Sequence, residues 1–462
     1  MRRSRTSTHT AGGRPTRRRG PRRSPLTVGA LTAALVVGLA LAACTGPSPI
    51  AGPATGGGAT GSGTGSSGAG PSSMPTQRAS TTAAASSGPS QPATPTPRGS
   101  RPAPSPTPPP PPASCATTLV DRLSASERAG QLLMVGLDVD AARRSLDRVV
   151  TARHLGGVIL LGGWSSGAGS VSATTAHLQA LAPTTSAGRL GLLLAADQEG
   201  GQVQQLQGPG FDRMPSARGQ DALSPDQLTA ASAGWARQLR AAGITVNLAP
   251  VADTVPADLG RANQPIGRWD RQFSSDPDDV ARKVAAFVAG MHRGGVAATV
   301  KHFPGLGRIT GNTDLTSTGI TDRTTTADDP YLRPFAAGIR AGADLVMVGS
   351  AIYTRIDPGA NALFSRAVVT GLLRERLGYH GVIVTDDVGA ARAVAAVPVG
   401  ARATRFVAAG GDIVLTATPG NVPAMHDALT TWMSRDPGFA AKVEAAATRV
   451  VDLKLRLGLA HC

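Results

Sequence analysis

The stretch VAATVKHFPGLGRITGNTDL, residues 296–315, opens as a near-continuous apolar run and then turns into a loop of glycines and polar groups. An apolar run without alternation fits a strand buried on both faces. Seven other runs have the same character: QLLMVGLD (131–138), GGVILLG (156–162), LGLLLAAD (190–197), TVNLAPVAD (245–253), DLVMVGS (344–350), GVIVTDD (381–387) and DIVLTAT (412–418). Between most of them lie stretches with helical period, such as PDDVARKVAAFVAGMHRGG (277–295) and FSRAVVTGLLRERLGY (364–379). Buried strands alternating with helices imply a parallel sheet. Eight such units favour an α/β fold with one closed (β/α)₈ TIM-type barrel over residues 115–462. A doubly wound open sheet is the weaker reading, and no second domain is needed.

Such a barrel places its site at the carboxyl ends of the strands, and polar residues recur there. Asp197 and Glu199 end the third run, Asp253 the fourth, Lys301 and His302 the fifth, Ser350 the sixth, and Asp386 with Asp387 the seventh. Any one of them alone reads as a helix cap or a strand-end charge. Their recurrence at one rim points to a functional site.

Upstream of the barrel the composition changes. Residues 1–43 carry nine arginines and no acid, followed by the apolar LTVGALTAALVVGLALAAC that ends at Cys44. A basic start, a short apolar run and small residues before a cut describe an export signal. Leu41-Ala42-Ala43-Cys44 resembles a bacterial lipobox, which implies cleavage before Cys44 and lipidation of its thiol. A plain signal peptide or an uncleaved anchor are the alternatives, and RRSPL at 22–26 is a loose match to a twin-arginine signal. Residues 44–114 are almost wholly Gly, Ser, Thr, Ala and Pro, a disordered tether that stiffens toward polyproline at PSPTPPPPPAS. The formal charge of +16 belongs mostly to this leader; from Cys115 onward 34 basic residues face 30 acidic ones, so no basic field argues for nucleic acid. Cys115 and Cys462 stand at the two ends of the folded part and are expected to pair in an oxidising compartment, with two free thiols as the alternative. Scattered histidines offer no ligand cluster, so neither a metal nor another cofactor is expected. The chain is expected to act as a monomer at the outer face of the membrane, held by its lipid and reaching into the wall.

AADQEGGQVQQL, LAPVAD, IGRWDRQFSSDP, KHFPGLG and VIVTDD resemble, in order and spacing, the signature segments of family 3 glycoside hydrolases. They are most similar to the single-barrel β-N-acetylhexosaminidases, including lipoprotein members of actinobacteria. The resemblance spans essentially all of residues 115–462. It implies that Asp386 is the nucleophile of a retaining glycosidase acting on carbohydrate, and that Asp197, Arg271, Lys301 and His302 are sugar-hydroxyl ligands. Asp253 matches a family acid with either a structural or a ligand role.

One departure bears on the chemistry. In the hexosaminidase branch the loop runs KHFPGHG and then Asp-Ser-His, whose Asp and His supply the general acid/base. Here Leu306 replaces the first histidine, and Asn312, Thr313 and Asp314 replace the triplet. Asn312 cannot polarise an imidazole, and no imidazole is left there. Asp314 stands where the acid histidine would, and it can protonate the leaving oxygen if its pKa is raised. Three readings follow: a hydrolase using Asp386 and Asp314, a glycan-binding barrel with impaired turnover, and a transferase or phosphorylase-type variant. The wall-facing location suggests peptidoglycan or another wall-derived amino sugar. Ser350, where relatives often carry His, and Trp269, in a loop longer than usual, bear on the subsite.

Overall fold

The computed structural model describes residues 114–142 and 144–462. The expected signal over 1–43, Cys44 and the tether up to residue 113 lie outside the described residues.

Eight parallel strands follow one another around a barrel in chain order: β1 (Leu133–Asp138), β2 (Gly157–Leu161), β3 (Leu193–Ala196), β4 (Val246–Asn247), β5 (Ala297–Phe303), β6 (Leu345–Val348), β7 (Val382–Thr385) and β8 (Val414–Thr416). β8 pairs with β1, and a bridge between Val384 and Ile413 joins it back to β7. Both faces of the sheet are apolar, which is why the strands read as unbroken hydrophobic runs. Met134, Ile159, Leu193, Ala195, Val246, Leu345, Met347, Val382 and Val384 fill the interior, while Val135, Val158, Leu194, Val346 and Ile383 pack outward under the helices.

The helices between strands carry clear stop and start chemistry. Ser224 and Gln227 form a reciprocal cap on Pro225–Ala241. Asp276 caps Pro277–Arg293, with Pro277 in the first turn, Asp278 and Asp279 near the positive end of the helix dipole, and His292 and Arg293 near the negative end. Val280, Val284, Phe287, Val288 and Met291 recur at helical spacing and are buried.

Two strands are shorter than their sequence runs. In TVNLAPVAD only Val246–Asn247 make a regular ladder, because Pro250 has no N–H to donate; Val251 rejoins the sheet through a bridge to Lys301. In LGLLLAAD the ladder begins at Leu193, since the Gly191 N–H is turned away to the Leu459 carbonyl.

Cys115 and Cys462 are joined, with Cα atoms 5.8 Å apart. The bridge closes a loop of 347 residues and so restricts the unfolded chain far more than the folded one. Replacing both with serine is expected to cost roughly 2 to 5 kcal/mol of stability, read as a lower denaturant midpoint. Non-reducing mass mapping of exported protein should recover the joined peptides; an unchanged midpoint together with free thiols at both would refute the staple.

Candidate active site

The side chain of Lys301 points into the barrel near the top of β5, opposite the inward Met347 of β6. Its Nζ lies 2.5 Å from Asp197 Oδ1 and 2.6 Å from Glu199 Oε1, both just beyond β3. Glu199 in turn receives a bidentate pair from Arg271, Nε at 2.8 Å and Nη2 at 2.7 Å. Asp270 takes a left-handed conformation (φ 54°) immediately before Arg271 and ends the turn Gly267–Trp269; Arg271 Nη1 also donates to the Pro265 carbonyl. Burial alone would raise the Glu199 carboxyl, but Arg271 and Lys301 outweigh it and hold that group down at about 2. Burial likewise opposes the Lys301 charge, and Asp197 and Glu199 reverse this and raise its pKa.

Exposure divides this cluster into two roles. Lys301 and Glu199 side chains are 2% and 3% exposed, whereas Asp197 keeps 20% and Arg271 17%. Asp197 and Arg271 therefore keep atoms open at the mouth, with Glu199 and Lys301 as the charged framework behind them.

His302 is fixed from below. Its Nδ1 is 2.7 Å from Asp253 Oδ2, a carboxylate that also accepts from the Leu306 N–H at 2.7 Å. A carboxylate at Nδ1 favours the tautomer that carries its proton there, leaving Nε2 toward Arg271 Nη2 at 3.4 Å. Asp253 is wholly buried, and its carboxylate sets His302 and the start of the next loop. That loop packs tightly, since a Cβ at Gly307 would lie 1.8 Å from the Thr254 carbonyl oxygen. Leu306 is buried at 2% exposure, and the Asn312 carbonyl oxygen of the side chain accepts from the Asp314 N–H.

The acid pair lies across the rim. After β7, Asp386 is half-buried and accepts from the Asp387 N–H at 2.9 Å. Asp387 spends its oxygens on backbone, taking N–H groups from Gly389 (2.7 Å), Ala417 (2.8 Å) and Ala390 (3.0 Å). Asp314 faces Asp386 closely enough to feel its charge. The surrounding protein and then the Asp386 carboxylate push the Asp314 carboxyl up to about 7, against the pull of Arg271. Asp314 is exposed to solvent, which weakens the contribution of burial and leaves the Asp386 charge as the cause that holds. Burial leaves the Asp386 carboxyl raised as well, with His302, the Asp387 N–H and Lys301 offsetting only part of it. Both carboxyls are raised, and the two titrate as a pair that shares a proton.

Residues 124–453 match the family model described as the glycosyl hydrolase family 3 N terminal domain. The chain belongs to glycoside hydrolase family 3. A beta-hexosaminidase of Xylella fastidiosa (strain M12) is 38% identical over 259 residues, covering 54% of this chain and 74% of that protein. The crystal structure of beta-N-acetylhexosaminidase from Beutenbergia cavernae DSM 12333 is 46% identical with a TM-score of 0.70, over 72% of this chain and 98% of its own. M tuberculosis LpqI is 29% identical with a TM-score of 0.63, over 73% of this chain and 96% of its own.

In this family 3 barrel the strand-end residues Asp197, Lys301, His302 and Asp386 stand at one mouth, together with Arg271 and Asp314 from the loops between. Glu199 is the functional residue that the sequence reading named but left out of the ligand set. The signal was present in DQEGG: a second acid two residues after Asp197 is too close to leave the rim, and two cations elsewhere at the rim need a buried partner.

Proposed function

We propose that this family 3 glycosidase hydrolyses β-linked N-acetylhexosaminides with retention, Asp386 acting as nucleophile and Asp314 as acid/base. The observation that carries this reading is the meeting of two carboxyls at one mouth: Asp386 at the end of β7, and Asp314 on the loop after β5, whose carboxyl is pushed up to about 7 by burial and the Asp386 charge. The pair shares a proton near neutral pH, so one carboxylate can attack while the other carboxyl donates. Asp197 and Arg271 hold sugar hydroxyls. Asp386 forms a bond to the anomeric carbon as the glycosidic bond breaks, and the Asp314 proton goes to the leaving oxygen. Asp314, now ionised, takes a proton from water, whose oxygen attacks the anomeric carbon and frees Asp386.

The names of the relatives support an N-acetylhexosaminide, and the lipobox and tether support a wall-derived amino sugar as its source. A glycan-binding barrel with little turnover is favoured by two features, the burial of Leu306 where the branch has its first loop histidine and the use of Asn312 as a loop cap where the branch has the acid of its dyad. Rates on 4-nitrophenyl β-N-acetylglucosaminide and on a natural N-acetylglucosaminide, measured side by side, separate the two. The hydrolase reading expects both to turn over, and binding without turnover of either supports the barrel that only binds.

The same proposal places the protein outside the cell on a lipid carried by Cys44. Cys44→Ala is expected to move the protein from the membrane fraction to the soluble exported fraction. If the variant stays wholly membrane-bound, the anchor is something other than that thiol.

A further inference from the structure

Arg402, on the helix Val399–Ala409, is buried at 7% exposure, and among the described residues no carboxylate pairs with it. Its guanidinium is given over to backbone carbonyls of a single loop. Nη1 donates to Val388 (2.5 Å) and Gly389 (3.2 Å), Nε to Val397 (2.8 Å), and Nη2 to Ala395 (3.3 Å). Desolvating a guanidinium is costly, and here the return is a fixed shape for residues 388–397, whose only regular structure is the short turn Arg392–Val394. That loop begins immediately after Asp386 and Asp387. It also reaches the acid loop: the Arg392 N–H donates to the Asp314 carbonyl (3.2 Å) and the Ala393 N–H to the Thr313 carbonyl (3.0 Å). One pinned segment is thus attached at its start to Asp386 and in its middle to Asp314.

Resting on the acid/base reading above, the geometry points to Arg402 as a positioning residue that sets the spacing of the Asp386–Asp314 pair. It touches no substrate and acts through the backbone of residues 388–397. The two-bond latch uses main-chain groups of the acid loop, so it holds whatever side chain stands at position 314. Loosening the segment moves Asp314 away from both the leaving oxygen and the Asp386 charge. The first displacement removes proton donation, and the second lets the Asp314 carboxyl return toward the ordinary carboxylate range.

Two variants of the full exported chain test this. Arg402→Met keeps bulk and removes the donors. Arg392→Pro removes the N–H given to Asp314 together with an exposed side chain, at the first position of a turn whose preceding residue, Ala391, already has φ −58° and ψ 124°, a conformation compatible with a following proline. Both are expected to cut kcat/KM for a natural N-acetylglucosaminide by about 10- to 100-fold while formation of the glycosyl-enzyme from the 4-nitrophenyl glycoside, read as the rate of the nitrophenolate burst, falls by less than about threefold. KM stays near its original value and the alkaline limb of the pH profile moves to lower pH. Arg402→Lys is expected to recover part of the loss. An equal fall on both substrates with an unmoved limb makes Arg402 a purely structural residue and overturns the inference. If Arg402→Met does not fold, Arg392→Pro alone decides. A wild-type protein inert on both substrates overturns the acid/base reading itself, and the positioning role with it, whereas a wild type that is active with variants that lose no substrate discrimination overturns only the positioning role.

Discussion

Replacing Asp386 with alanine is expected to lower turnover of aryl and natural N-acetylglucosaminides alike, by roughly 10⁴- to 10⁶-fold, a loss of the size seen when a nucleophile is removed from a hydrolase. The reason is that no neighbour can stand in. Both Asp387 oxygens are held by the N–H groups of Gly389, Ala390 and Ala417. Glu199 is locked between Arg271 and Lys301, and Asp197 is held by Lys301. A good leaving group does not help, because the missing step is the bond to the anomeric carbon. Sugar binding should survive, since Asp197 and Arg271 are untouched, and calorimetric titration with N-acetylglucosamine measures it. Residual aryl hydrolysis within tenfold of wild type would assign the nucleophile elsewhere.

Replacing Asp314 with alanine is expected to separate the substrates. Cleavage of a natural glycoside should fall by about 10²- to 10⁴-fold, the usual range for losing a positioned general acid. Formation of the glycosyl-enzyme from 4-nitrophenyl glycoside should be nearly unchanged, because nitrophenolate leaves without a proton. The pH dependence follows with a definite sign. Asp314 must be protonated to act as acid, so kcat/KM for the natural glycoside falls as pH rises through the raised value of about 7. At low pH the rate falls again as Asp386 takes up its own proton. In Asp314→Ala the alkaline limb should vanish while the acid limb stays, and rates measured from pH 4 to 9 on both substrates would read it.

The eight strands were legible because a barrel buries both faces of its sheet, so each strand announces itself as an apolar run between helices. What blurred two of them was backbone chemistry at single residues, Pro250 without a donor and Gly191 bonded to Leu459 outside the sheet. The rim residues were legible by position, since Lys301, His302, Asp197 and Asp386 end strands. Their partnerships were not. Asp253 and Glu199 look alike in sequence, and only burial and partners show that one orients an imidazole while the other neutralises two cations. Arg402 gave no signal, because its partners are main-chain carbonyls that any residue supplies. The Asp314 position was suggestive, but the charge of Asp386 facing it is a property of how two distant loops fold over the mouth.

The central claim is that Asp314, on a loop without the family's histidine, handles the proton. Azide tests it most directly, since this small anion attacks a glycosyl-enzyme without needing a general base. Added to Asp314→Ala turning over 4-nitrophenyl β-N-acetylglucosaminide, azide should raise the steady-state rate by tenfold or more, on the scale of a lost general base. The product should be the β-glycosyl azide, identified by NMR. No rate increase and no azide adduct, with Asp314→Ala as active as wild type on the natural glycoside, would contradict the claim.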